Sequence, residues 1–148
     1  LVHLDIKLEN ILLTNKDPIK IKIIDLESCH KINNKKNTFC GTPGYASPEM
    51  ILQHKHYYNT DIWSLGIILF MLYTHDNFFL KDITSNSDFN WLEFFENFDS
   101  NYIKNRLIDN NSFDDDIFEL LSLMLHKLHV YRISIHGLKK HKLLQNQN

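Results

Sequence analysis

The sequence predicts an α+β chain that is mostly α-helical, with one short β-hairpin near its start and helices after it. Two observations carry that expectation. Residues 19–23 read Ile-Lys-Ile-Lys-Ile and follow an apolar Ile11-Leu12-Leu13, the period-two pattern of a half-buried strand beside a partner. From Asp61 to Thr74 the apolar residues fall on nearly every face of a helix, as they do when a helix is surrounded by core.

The elements follow in order. Asn15-Lys16-Asp17-Pro18 supplies turn residues between the two strands, and folding about it brings Asn10 within a residue or two of Asp25. Ser28 to Phe39 is polar and rich in Asn and Lys, which predicts a mobile loop ending in the turn-dense Gly41-Thr42-Pro43-Gly44-Tyr45. Thr60 is placed to cap the long apolar helix. Phe89 to Phe98 predicts a short amphipathic helix carrying Trp91, Leu92, Phe94 and Phe95, and Trp91, Phe94, Phe95 and Phe98 suit core or a docking face. Ser112 is placed to cap another, with Asp114, Asp115 and Asp116 in its first turn where negative charge suits the dipole. Ile117, Leu120, Leu121, Met124 and Leu128 form its core stripe. A last helix, about Ser134 to Leu144, carries Lys139, Lys140, His141 and Lys142 near its end.

Composition narrows the function classes. The 148 residues, 43% of them hydrophobic, suit one domain with a core. A net charge of −2 gives neither a basic field for nucleic acid nor a polybasic membrane tail, and no apolar run reaches bilayer length. Two cysteines, Cys29 and Cys40, are too few for a disulfide framework. Ordinary thiols in an intracellular setting, cytoplasmic or nuclear, are the expectation, rather than a redox pair. Nine histidines include His54 with His56 and His136 with His141, but none stands at zinc spacing with cysteines. The chain opens on Leu1 rather than Met and reads as a piece of a longer protein.

The chemistry is concentrated in Val2 to Leu13, where Asp5, Lys7 and Asn10 fall within six residues. A carboxylate can accept a hydroxyl proton, an ammonium can neutralise phosphate oxygens, and an amide oxygen can hold a hard cation. Those are the parts phosphoryl transfer requires. Asp25, brought near Asn10 by the hairpin, adds a second oxygen for magnesium, an ion satisfied by one or two protein oxygens plus phosphates.

His3-Leu4-Asp5-Ile6-Lys7-Leu8-Glu9-Asn10 resembles the catalytic loop of eukaryotic protein kinases, and four further segments match that family in order. Ile24-Asp25-Leu26-Glu27 stands where the magnesium-binding Asp-Phe-Gly is expected. Thr38 to Glu49 looks like the end of an activation segment, closing on Ser47-Pro48-Glu49. Asp61-Ile62-Trp63-Ser64-Leu65-Gly66 resembles the start of the large central helix, and Arg132 a late arginine. The resemblance implies a kinase-like C-terminal lobe with a short catalytic hairpin, residues 1–148 being a partial kinase domain whose N-terminal lobe is absent. It also implies a parent serine/threonine kinase that transfers the ATP γ-phosphate to a protein substrate with Mg2+. Asp5 would take the substrate's proton, Lys7 would stabilise the transferring group, and Asn10 and Asp25 would hold magnesium. Lys7 together with Gly41-Thr42-Pro43 resembles the serine/threonine branch, and Glu9 matches a position that reads basic substrate side chains in some members. Glu49 with Arg132 matches a buried structural ion pair, and His3 and Asp61 match braces of the loop.

Four departures qualify that picture. Leu4 replaces an arginine that reads activation-loop phosphate, which weakens the case for control through Thr38. Leu8 for proline and Ser47 for alanine are mild, and Leu26 for phenylalanine keeps an apolar plug. Glu27 for glycine either disturbs the nucleotide geometry or points to solvent. With no glycine-rich loop, strand lysine or helix glutamate, the chain alone is expected not to catalyse. The alternative is a pseudokinase or truncated binding module that works by contact.

Overall fold

The computed structural model describes residues 1–32, 40–53, 55–79 and 89–145. Thr38, most of the loop expected to be mobile, and His54 lie outside the described residues. A single 3-10 turn, Leu8–Asn10, leads into β1 (Ile11–Lys16), which pairs antiparallel with β2 (Ile19–Ile23) in a two-stranded sheet. The helices follow: α1 (Pro48–Gln53), α2 (Thr60–Thr74), α3 (Trp91–Asn97), α4 (Ser100–Asp109), α5 (Asp115–Met124), α6 (Ile135–Lys139) and α7 (Lys142–Gln145).

The core forms around α2. Trp63, Ile67 and Phe70 are essentially sealed from solvent, with Phe78, Phe79, Ile103, Leu107, Leu121 and Leu125 around them. The aromatic rings meet largely edge to face, Phe78 against Phe79 at 4.8 Å between centroids, the arrangement ring quadrupoles favour. Gly66 lets α5 approach closely, since a Cβ there would stand 2.8 Å from Leu125 Cδ2. Phe95 of α3 is buried in the same core, while Trp91 and Phe94 are half-buried and Leu92 is exposed.

Several expected elements form differently. β2 is exposed along its whole length rather than half-buried, because among the described residues nothing packs over Ile19, Ile21 or Ile23. Thr60 is the first residue of α2 and not its cap: Asn59 holds the cap position, and the Thr60 hydroxyl instead donates to Glu49 Oε1 at 3.0 Å. The α5 cap is Asp114, whose Oδ1 accepts from the Ile117 amide at 2.9 Å, while the Ser112 hydroxyl turns back to the Asn110 carbonyl. Leu128 falls past the end of α5 and is exposed. The last helix divides at Lys140, where the Lys140 and His141 amides bond three residues back, to Gly137 and Leu138, and tighten the turn. Helix α4 lies in a stretch where the sequence suggested no element. Its Asp99 cap bonds the Asn101 and Tyr102 amides, and Ile103, Arg106 and Leu107 form its buried stripe.

One ion pair fastens α1 to the end of the chain. Arg132 donates from Nη1 and Nη2 to the two Glu49 oxygens at 2.7 and 2.8 Å, with both side chains nearly inaccessible. Burial alone would raise the Glu49 pKa, but the Arg132 hydrogen bonds and charge outweigh it and hold the carboxyl below its ordinary value. Glu49→Gln should therefore cost about 3–5 kcal/mol by stranding a buried guanidinium, read as a lower urea midpoint. A carboxyl with a depressed folded pKa contributes stability above its unfolded value, about pH 4.3, and loses it as pH falls through the folded value. The penalty of the variant should accordingly be full at pH 7 and shrink in acid; a penalty independent of pH would contradict this account.

Candidate active site

The loop from Val2 to Lys7 is held in place by backbone bonds to distant residues. Val2 and His30 exchange backbone bonds of 3.0 and 3.2 Å. The Asp61 carboxylate, in the first turn of α2, accepts from the His3 and Leu4 amides at 2.8 Å each. His3 Nε2 lies 3.1 Å from the Ile24 carbonyl, which can only accept, so the ring carries its proton there. Its Nδ1 is then an acceptor, and it receives the Asp5 amide at 3.3 Å. His3 thus fixes Asp5 relative to the end of β2. Leu4 has a φ of 70° and is buried against Val2, Ala46 and Met50. Gly41, with φ of 90°, passes so close that a Cβ would stand 2.4 Å from the Leu4 carbonyl oxygen.

These restraints set up a triangle of charge. Lys7 Nζ lies 2.8 Å from Asp5 Oδ2 and donates to Thr42 Oγ1 at 2.9 Å, and the Thr42 hydroxyl donates to Asp5 Oδ1 at 2.8 Å. Buried Asn10 donates from Nδ2 to the Asp5 carbonyl at 2.9 Å and to Asp5 Oδ2 at 3.1 Å. Burial opposes the Asp5 charge, but hydrogen bonds from Lys7, Thr42 and Asn10 prevail and keep its pKa below the ordinary carboxylate value. Lys7 is raised in turn, first by its hydrogen bond to Asp5 and further by the charges of Glu9 and Asp25. The result is an ionised carboxylate beside a cation.

Asp25 stands next to this triangle. The Ile24 amide donates to the Asn10 carbonyl at 3.0 Å, so Asp25 follows one residue beyond the last paired position. It is exposed and has a φ of 64°, a left-handed backbone unusual for a residue with a side chain. Such strain persists where surrounding structure imposes it. With the Asn10 amide nitrogen committed to Asp5, its oxygen is the group left to meet a cation. Asn10 and Asp25 offer two oxygens, the number magnesium takes from a protein when phosphates supply others. Among the described residues no group of three or more His, Cys, Asp or Glu side chains could hold a metal ion.

Thr42 was not among the residues singled out for chemistry. Its signal was its place in a tight Gly-Thr-Pro-Gly turn, but nothing local in the sequence tells that this turn returns to Asp5. Leu26 is 65% exposed, and among the described residues nothing covers it. Glu27 is exposed in a turn closed by the Cys29 amide on the Leu26 carbonyl at 3.1 Å, and the left-handed residue of this segment is Asp25. The backbone of this chain therefore makes no demand for glycine at position 27.

The family model for the protein kinase domain matches residues 1–144. The chain belongs to the protein kinase family. It is 42% identical over 73 residues to a protein named a probable cell cycle serine/threonine-protein kinase CDC5 homolog from Encephalitozoon cuniculi, covering 48% of this chain and 16% of that one. Probable serine/threonine-protein kinase MARK-B of Dictyostelium discoideum is 41% identical over 73 residues, covering 49% and 10%. An Aurora kinase of Yarrowia lipolytica is 43% identical over 70 residues, covering 47% and 19%. The chain therefore spans less than a fifth of the length of these relatives. It is a partial kinase domain, mostly helical, with one two-stranded antiparallel sheet. No helix among the described residues is long and apolar enough to cross a membrane.

The loop geometry of this kinase domain makes a specific demand on Asp61. Asp61→Asn should keep one acceptor and turn an NH2 group toward the other amide. The expected cost is about 1–3 kcal/mol in urea unfolding, with faster hydrogen exchange at the His3 and Leu4 amides. Unchanged stability and exchange would show that Asp61 does not hold the loop.

Proposed function

We propose that the chain is the C-terminal lobe of a serine/threonine protein kinase, from the catalytic loop to the last helix, within a longer protein that phosphorylates protein hydroxyls. The observation that carries this reading is the Asp5 carboxylate, kept ionised between Lys7 Nζ and Thr42 Oγ1 at 2.8 Å from each. In this reading Asp5 accepts the proton of the substrate hydroxyl and aims its oxygen for in-line attack. Lys7, already protonated, shifts toward the transferring phosphoryl oxygens as charge builds on them. Asn10 Oδ1 and the Asp25 carboxylate are the residues that would hold Mg2+. Bound ATP would supply the phosphoryl group, and magnesium would neutralise charge across its phosphates.

Positioning dominates such a reaction, and this chain's contribution to it is a set of locked side chains. Asp5 is fixed by His3 through its amide and by Asn10 through its carbonyl. The full site requires the part of the kinase domain that carries the nucleotide-binding strands, so activity belongs to the parent protein. A second reading, a domain that works by contact alone, draws on the exposed apolar hairpin, where Leu13, Ile19 and Ile21 are all more than half exposed. It predicts that Asp5 has no chemical task.

The two readings separate in one comparison. Asp5→Asn in the parent protein should lower phosphate transfer from ATP to a protein hydroxyl by about 10²- to 10⁴-fold, the usual worth of a positioned base, with little change in nucleotide affinity. Equal transfer by the two proteins would remove Asp5 from the assigned role and favour the contact reading.

A further inference from the structure

Along α3 the chain leaves a cavity of about 370 Å3, lined by four rings, Phe89, Phe94, Phe98 and Tyr102, and by Asn90, Glu93 and Asn97. That volume falls within the range of about 300–1,000 Å3 usual for ligand pockets. The rings do not close into a stack. Phe94 stands edge to face on Tyr102, with 5.3 Å between centroids and 90° between planes, and is tilted by 43° and 42° from Phe89 and Phe98. Phe98 is buried, whereas Phe89, Phe94 and Tyr102 are half-buried and keep part of their surface toward solvent. The Tyr102 hydroxyl donates to the Phe78 carbonyl at 3.1 Å, which fixes that ring. Ring faces are the negative side of an aromatic quadrupole, and several around one space attract a cation.

The polar lining agrees with the rings in sign. Glu93, exposed on the first turn of α3, is the one charged residue of the lining. Asn97 donates from Nδ2 to the Glu93 carbonyl at 2.9 Å, which leaves its Oδ1 to accept from a ligand. Asn90 caps α3 instead, its Oδ1 taken by the Leu92 and Glu93 amides at 3.0 and 3.5 Å. From Phe89 to Ile103 the chain carries Glu93, Glu96 and Asp99 and no Lys or Arg. Lys127, whose Nζ reaches the Phe95 and Glu96 carbonyls at 3.2 and 2.8 Å, does not line the cavity. A guanidinium suits this combination better than other cations. It is planar and weakly hydrated, so it stacks on a ring while its fork reaches a carboxylate. A lysine ammonium is strongly hydrated, and a quaternary ammonium has no N–H for Glu93 or Asn97.

We propose that this cavity is a docking site for an arginine side chain of a protein partner, stacked against the Phe89 and Phe94 rings and paired with Glu93. None of Asp5, Lys7, Asn10 or Asp25 lines it, so the site stands or falls separately from phosphoryl transfer.

The test titrates the parent protein with N-acetyl-arginine methylamide, followed by saturation-transfer NMR, against the citrulline, lysine and trimethyllysine counterparts. Citrulline keeps the shape of arginine and lacks its charge. Arginine should bind about tenfold more tightly than citrulline, the usual worth of a charge-assisted pair, and more tightly than lysine or trimethyllysine. Glu93→Gln should erase that tenfold advantage. Phe89→Leu, which keeps apolar bulk and removes the ring, should weaken arginine about threefold. Equal affinity for arginine and citrulline, or tighter binding of lysine or trimethyllysine, would overturn the assignment. An arginine preference that survives Glu93→Gln would overturn it too, and its loss in Glu9→Gln would place the probe at Glu9 instead. A Glu93→Gln protein that merely loosens the fold weakens citrulline as much as arginine. In that case Phe89→Leu decides, and an unchanged arginine affinity there sinks the proposal.

Discussion

Three consecutive residues at the start of α2 tie together parts of the chain that are far apart in sequence. The Asn59 carbonyl accepts from Arg132 Nη1 at 3.1 Å, and the Asn59 side chain donates to the His129 carbonyl. Thr60 binds the Glu49 carboxylate, and Asp61 holds the His3 and Leu4 amides. Each group points to a different partner because successive residues of a helix face different directions. The helix behind them cannot drift, since Trp63, Ile67 and Phe70 are sealed in the aromatic core one and two turns further on. The Val2–Lys7 loop, α1 and Arg132 thus share one rigid reference. The 2.8 Å contacts around Asp5 depend on it.

Burying an ion pair at the second of these ties is not by itself a source of stability, because desolvating two charges offsets most of their attraction. What the Glu49–Arg132 pair adds is definition. Glu49 accepts from both Arg132 nitrogens and from Thr60, while Arg132 Nε is taken by the His126 carbonyl at 3.1 Å. Arg132 also lies over the Trp63 ring, 5.2 Å from its centroid. A fully satisfied network of this kind tolerates only one arrangement of α1 against α2, whereas apolar contacts alone would permit sliding.

The local parts of this design were legible in the sequence. The alternation at Ile19–Ile23 and the turn residues before it yielded the hairpin and, to within a residue, its register. Ile11 lies opposite Ile23, so Asp25 falls one position past the partner of Asn10. Asn15 and Lys16, expected in the turn, belong to β1 beyond a register shift. The apolar run after Asp61 yielded α2 almost to the residue. What failed depended on competition between neighbours or on tertiary context. Ser112 and Asp114 are both good caps, and only the backbone path selects Asp114. Helix α4 was hidden because asparagines, poor helix formers, interrupt its pattern, and its stability comes from Ile103 and Leu107 in the core. Thr42 was invisible as a site residue for the same kind of reason. Its role arises from a contact 37 positions away in the chain, and no local pattern encodes that distance.

Leu4 shows how the chain holds the stretch from Gly41 to Met50 without the arginine that the resemblance leads one to expect at position 4. A Leu side chain 2% exposed, packed on Ala46 and Met50, contributes about 1.5–3 kcal/mol of apolar burial at a position where a cation would have sought an anion. That contact is short-ranged and insensitive to salt, unlike a charge bridge across solvent. It also explains the glycine beside it. With the Leu4 carbonyl 2.4 Å from where a Cβ at position 41 would sit, the backbone of the segment passes directly over the loop, and the next residue, Thr42, arrives within bonding distance of Asp5. The triangle around Asp5 is therefore positioned by close packing and a left-handed glycine, with hydrogen bonds supplying its direction.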